Sequence, residues 1–182
     1  HSFPTRRSSD LGIWQSAGFV MALFLAGLRG IDDSIIKAAE PTYWPGIDIV
    51  VASPALYGAE FVLPARQTQE AGFQFWTALR DGVQSALEGY DVVLIDTPPA
   101  LGYVTVNALM AADGLILDLE DAVAPDAKAT ARDQIAQAIA AGGFGKREIL
   151  VRINSLDTPW WIDDIGMVAR ARPDGILVPK VS

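Results

Sequence analysis

The chain contains no cysteine. Disulfides, thiolate metal sites and cysteine nucleophiles are thereby excluded. Its one histidine is His1, so the body of the chain offers no histidine general base. Basic residues are in deficit: 14 Lys and Arg against 22 Asp and Glu give a formal net charge of −8. That is the wrong sign for a nucleic-acid surface, which needs a basic face, so no nucleic-acid partner is expected. Long apolar runs are also lacking. The longest, Ala17–Leu28, falls short of the roughly 20 residues that span a bilayer. No membrane partner is expected, and a cytoplasmic location is. Finally, no G-x-x-x-x-G-K-[ST] loop occurs, since Gly145-Lys146 is followed by Arg147.

What is present is a globular composition, 51% hydrophobic and 20% charged over 182 residues. That suffices for one good core or two small ones. The first eleven residues, HSFPTRRSSDL, look like the translation of a common short-read sequencing adapter. Such a tail carries no function and is set apart from fold reasoning. The natural N-terminus is then expected to be missing.

From Gly12 onward, Trp14–Leu28 is expected to be helical and Gly30–Asp33 to break it. Asp33 or Ser34 can cap a short helix over Ile35–Ala39. Pro41 and Pro45-Gly46 mark a loop before the β-branched run Ile47–Ala52, which reads as a strand. Ser53–Gln69 contains Pro54, Gly58 and Pro64 and reads as an irregular connection. Phe73, Trp76, Leu79, Val83, Ala86 and Leu87 have helical spacing, with Gly89 as the C-cap. Asp91–Asp96 is a strand whose unbroken apolar run suggests cover on both faces. Asp96 ends it, where ligands bind in open α/β sheets. Thr97–Pro99 stop the strand, and Gly102–Ala112 forms the next helix.

After Asp113 the pattern alternates cleanly: strand Gly114–Glu120, helix Ala127–Ala141 capped by Asp126, strand Glu148–Asn154, a helix capped by Thr158 and running from Pro159 to Ala171, and strand Asp174–Lys180. Alternation of this kind implies a parallel sheet. With side chains repeating every second residue, Ile116, Asp118 and Glu120 share one face of the first strand. Leu150, Arg152 and Asn154 share a face of the second, and Ile176, Val178 and Lys180 a face of the third. Each strand turns polar near its carboxyl end, the layout of a β/α barrel rim. A buried ion-pair cluster is the structural alternative. Trp160 and Trp161 read as packing residues, and Asp163-Asp164 as a solvated helix face.

Two families are resembled. TYWPGIDIVVA (Thr42–Ala52), FWTALRDGV (Phe75–Val83) and DVVLIDTPPALGYVTVNALMAADGLI (Asp91–Ile116) resemble the middle of ParA-type partition ATPases. The resemblance implies ATP as a ligand and a role for Asp96 near magnesium and the attacking water. Without a phosphate loop, Asp96 has little to hold ATP with, and a vestigial role is expected. LDLEDAVAPDAK (Leu117–Lys128), VRIN with LDTPW (Val151–Trp160) and DGILVPKV (Asp174–Val181) resemble the citrate lyase beta-subunit / malyl-CoA lyase (HpcH/HpaI aldolase) family. That resemblance implies carbon–carbon cleavage or formation between an acyl-CoA and a 2-oxo acid, with bound Mg2+ as Lewis acid. It casts Arg152, Glu120, Asp121 and Lys180 as catalytic and Asp118 and Asn154 as substrate-binding. It places the direct metal ligands on later strands that this chain lacks.

The expectation is therefore an α/β chimera with an incomplete TIM-type barrel portion at its C-terminus. It comprises an adapter-like tail over 1–11, a ParA-like fragment over 12–112 and a lyase-like fragment over 113–182. Strand Asp91–Asp96 is expected to pair with strand Gly114–Leu119 through the intervening helix. Open sheet edges offer a route to self-association. Three functions follow in order: an acyl-CoA lyase fragment inactive as it stands, a partition-ATPase fragment, or a chimeric product with no activity of its own.

Overall fold

The computed structural model describes residues 20–24, 39–52, 58–86, 89–98 and 101–181. The expected helix over Ile35–Ala39 falls outside these residues except at Ala39, and the adapter-like segment lies outside them entirely. The chain forms two compact units, His1–Ala111 and Ala112–Ser182.

The first unit holds strands β1 (Val20–Phe24), β2 (Glu40–Pro41), β3 (Ile47–Val50) and β4 (Val92–Asp96) in the order β2-β3-β1-β4. β1 runs parallel to both β3 and β4, while β2 is antiparallel to β3. Helices α1 (Ala59–Gln69), α2 (Ala78–Ala86, led in by a 3-10 turn at Phe75–Thr77) and α3 (Tyr103–Ala111) complete it. Val50, Ala59, Leu63, Leu79, Val83, Val104 and Ala108 form its core. Within that core Asn107 is a bracket: its Oδ1 accepts from Leu79 N and its Nδ2 donates to Tyr103 O.

Three expectations fail here. Val20–Phe24 is a strand, not helix. A continuous apolar run is ambiguous by itself, and pairing on both edges with β3 and β4 decides it. Ala59–Gln69 is a helix despite the internal Pro64. Loss of one helical N–H costs about 3 kcal/mol, offset by buried Ala59 and Leu63 and by the Glu60 carboxylate. That carboxylate accepts from Tyr103 N at 2.9 Å and Val104 N at 3.0 Å, satisfying orphan donors at the start of α3. Gly102 lets that carboxylate approach closely: a Cβ there would lie 2.5 Å from Glu60 Oε1, and the carboxylate would have to shift. Lastly, β4 is not covered on both faces: Leu94 is 48% exposed.

The second unit is a three-stranded sheet, β5 (Gly114–Asp118), β6 (Glu148–Arg152) and β7 (Gly175–Leu177), parallel throughout and in sequence order. Helices α4 (Lys128–Ala141) and α5 (Trp161–Ala171) pack on it. Leu119, Val151, Ile153, Met167 and Val168 form the core. β5 and β4 belong to different sheets, so the expected pairing between them does not form. A helix–strand phase shared by two parents does not dictate which strand supplies the ladder. α4 begins without a side-chain cap from Asp126, after a 3-10 turn at Pro125–Ala127. α5 begins at Trp161, and Thr158 instead donates to Ser155 O.

Asp164 ties this unit together and is not on a solvated face: it is 0% exposed. Its Oδ1 accepts from Arg132 Nη1 at 3.0 Å, and its Oδ2 from Asn154 N at 2.8 Å and Asn154 Nδ2 at 2.7 Å. Asp164→Ala would leave a nearly buried guanidinium with only its 3.5 Å contact to exposed Asp163, and the buried Asn154 N–H without a partner. A loss of about 3–5 kcal/mol is expected in urea unfolding, whereas Asp163→Ala should change stability by no more than about 0.5 kcal/mol.

Candidate functional site

The chemistry-bearing residues of the second unit gather at the carboxyl ends of its strands. β5 and β6 pair in a register that sets Asp118 directly beside Arg152. Their side chains form a two-pronged fork: Arg152 Nε donates to Asp118 Oδ1 and Nη2 to Oδ2, each at 2.7 Å. The strand turns immediately after Asp118, and the same carboxylate accepts Glu120 N at 2.8 Å and Ala122 N at 3.1 Å. That turn aims Glu120 back at the fork, with Oε2 3.4 Å from Arg152 Nη1.

Lys180 closes the group from the other side. Its Nζ is 2.9 Å from Glu120 Oε1 and 3.3 Å from Asp121 Oδ1. This buried oxygen thus has the Lys180 ammonium as its counter-charge. Strand alternation does not place Lys180 here. β7 ends at Leu177, and Lys180 adopts the left-handed region, φ 53°, a conformation costing a non-glycine residue about 1–2 kcal/mol.

Asn154 does not join the rim. β6 ends at Arg152, alternation lapses, and Asn154 turns inward, 2% exposed. Its Nδ2 donates to Leu119 O and to Asp164. A contributor missed from sequence is Lys128. It is buried, with Nζ donating to Leu119 O at 2.7 Å and Glu120 O at 2.6 Å, beneath the Trp160 ring at 5.2 Å. Two ammonium donors thus fix the turn that carries Glu120. The available signal was its position opening a helix eight residues after Glu120. In the first unit Asp96 ends β4, exposed, in register with Phe24 of β1.

The electrostatics follow from the contacts. Burial alone would raise the Asp118 carboxyl, but the Arg152 hydrogen bonds, the two backbone amides and the Arg152 charge outweigh it and hold it below the usual range. The Asp118 hydrogen bond, opposed by burial and aided by the surrounding carboxylates, raises Arg152. Glu120 and then Asp121 raise Lys180. Three carboxylates face two cations. Two of the five guanidinium N–H donors are committed to Asp118 and Nη1 stands near Glu120, which leaves outer N–H groups of a one-third-exposed arginine for an incoming oxyanion. Magnesium does not fit this cluster as a directly bound ion. Its carboxylates are engaged by Arg152 and Lys180, and among the described residues no group of three or more acidic or histidine side chains could hold a metal.

A family model described as AAA domain matches residues 12–130. The chain belongs to the AAA domain family. A second model, HpcH/HpaI aldolase/citrate lyase, matches residues 100–182. The two spans overlap, and the chain is a chimera of both. Over 73 residues it is 47% identical to a (3S)-malyl-CoA thioesterase of Cereibacter sphaeroides, covering 40% of this chain and 26% of that protein. Over 77 residues it is 51% identical to an L-malyl-CoA/beta-methylmalyl-CoA lyase of the same species, covering 41% of this chain and 24% of that one. The chain thus spans about a quarter of the length of these curated relatives. Among solved structures, cobyrinic acid a,c-diamide synthase from Mycobacterium smegmatis with bound ADP and magnesium aligns at TM-score 0.58 and 21% identity, over 87% of this chain and 71% of that one. A partition protein aligns at TM-score 0.61 and 16% identity, over 90% and 53%. At those identities the likeness is one of fold, a mixed α/β architecture with parallel strands.

The lowered Asp118 carboxyl sets a pH dependence. Its folded value lies below its unfolded one, so its contribution is complete above the unfolded value of about 4. It is lost as pH falls through the lower folded value. In acid titration of unfolding free energy, Asp118→Asn should be less stable than wild type at neutral pH, with the difference shrinking below about pH 4.

Proposed function

We propose that the second unit is the substrate-side rim of a carbon–carbon lyase of the acyl-CoA and 2-oxo acid type. In this reading the unit does not cleave by itself, because its carboxylates are engaged by Arg152 and Lys180 and offer no direct magnesium site. One observation carries this reading: the fork of Asp118 and Arg152, with Glu120, Asp121 and Lys180 beside it, at the ends of parallel strands. The guanidinium supplies charge to a 2-oxo acid oxygen, and stabilisation of developing enolate or alkoxide charge is what such a step needs. Asp118 and Glu120 hold the guanidinium in place. Lys180, exposed and cationic, lies beside the same spot. Asp121 holds Lys180, and Asn154 supports the strand end from beneath.

When bound, magnesium would polarise the keto acid as a Lewis acid, but its direct ligands are not in this cluster. The barrel reading belongs to the same proposal, with three parallel strands as its opening. So does a cytoplasmic location; among the described residues no helix is long and apolar enough to cross a membrane. The AAA domain match and the exposed Asp96 at the end of β4 favour a second reading, that the first unit retains contact with ATP.

Thermal denaturation with added ligand separates the two. A tenfold excess of glyoxylate or oxaloacetate over its Kd should raise the melting temperature by about 2–8 °C, and Arg152→Ala should abolish that rise. Malyl-CoA with magnesium should not be cleaved above background. Absence of any oxo-acid shift, or an equal shift in Arg152→Ala, would overturn the lyase reading. A shift with ATP and magnesium that disappears in Asp96→Ala would establish the second.

A further inference from the structure

The outer face of α5 takes no part in the rim. Its inward positions are Asp164, Met167 and Val168. On the opposite side Ile162 is 64% exposed and Ile165 37%. With Gly166 and Ala169 they follow the i, i+3, i+4, i+7 spacing of a single helical stripe. One flank of that stripe carries two opposite charges, Asp163 in the first turn and Arg170 in the last. Seven residues apart, they drift by only about 20° around the helix. The Asp163 side chain is 69% exposed and makes only a 3.5 Å contact with Arg132. Arg170 is exposed and has no ion-pair partner among the described residues; its Nη1 lies 3.7 Å from where a Cβ on Gly166 would stand.

We propose that this stripe is a self-association face, on which a second copy docks its own α5 in antiparallel orientation about a two-fold axis near Gly166. Charge placement selects both the occupant and the direction. A two-fold operation perpendicular to the helix keeps the charged flanks on the same side and reverses their order. Asp163 then meets the partner's Arg170, and Arg170 meets the partner's Asp163. A parallel copy, related by an axis along the helix, would put the two charged flanks on opposite sides of the contact and pair neither charge. Ile162 comes to lie over the partner's Ala169, and Ile165 over the partner's Gly166. The two small residues allow the axes to approach to about 8–10 Å. The inference does not rest on the lyase reading.

A single 11-residue helix is about 16 Å long, so this contact falls below the standard interface of about 1,600 Å² and the dimer is weak. Sedimentation velocity of the full chain from micromolar to millimolar concentration is the test. The weight-average mass should climb toward that of a dimer. Asp163→Arg and Arg170→Asp should each weaken association about tenfold or more, Ile162→Glu should abolish it, and the Asp163→Arg/Arg170→Asp double variant should restore it. Far-UV circular dichroism confirms folding of each; if Asp163→Arg fails that check, Arg170→Asp with Ile162→Glu decides. A chain that stays monomeric throughout overturns the proposal. So does association that survives the single reversals, which would run through the open edges of β5 and β7, and so does a folded double variant that fails to recover.

Discussion

The pairing of Asp118 with Arg152 is the constraint on which the second unit's rim is built. It is made possible by register: two parallel strands that place these residues side by side leave their side chains no shorter route than each other. Once formed, the fork is hard to dislodge. Asp118 accepts four donors, two from the guanidinium and two from the backbone beyond it. Charge-assisted, two-pronged contacts of this kind are about twice as strong as neutral hydrogen bonds. The turn they hold directs Glu120 into the group, and Glu120 in turn gives Lys180 a counter-charge.

A second set of contacts supports the rim from beneath. Lys128 grips the carbonyls of Leu119 and Glu120, while Asp164 collects Arg132 and Asn154. Both are charged groups taken out of water, and such groups persist only where nearly every donor and acceptor is met. Their arrangement couples the strand ends to α4 and α5. The rim is therefore held by the helices as well as by its own ion pairs.

The first unit is organised by other means. Its parallel strands pack under three helices, and the joints between helices are made by single side chains: Asn107 inside the core and Glu60 at the start of α3. The AAA match runs through this unit and on to residue 130, and the lyase match begins at residue 100, so the two share a stretch around the unit boundary. Each unit has its own core of buried aliphatic residues.

Much of the second unit was legible beforehand, because strand and helix periods alternate there without interruption. The same alternation put Asp118 on a face of its strand with Ile116, and Arg152 on a face of its own with Leu150; the β5–β6 register then brought the two side by side. Alternation could not place Asn154 or Lys180, since both lie past the last paired residue: one turned into the core and the other reached the rim through a left-handed backbone. Nor could it decide Ala17–Leu28, where an unbroken apolar run has no period to read. By itself, then, the sequence determined which segments alternate, which residue types are absent and which two families the chain draws on, since these depend on local pattern and identity. Only the tertiary structure decided that β4 and β5 join different sheets, that Asp164 is buried and that Lys128 braces the turn. Those outcomes depend on which distant segment supplies the neighbouring hydrogen bonds, and no local period encodes that choice.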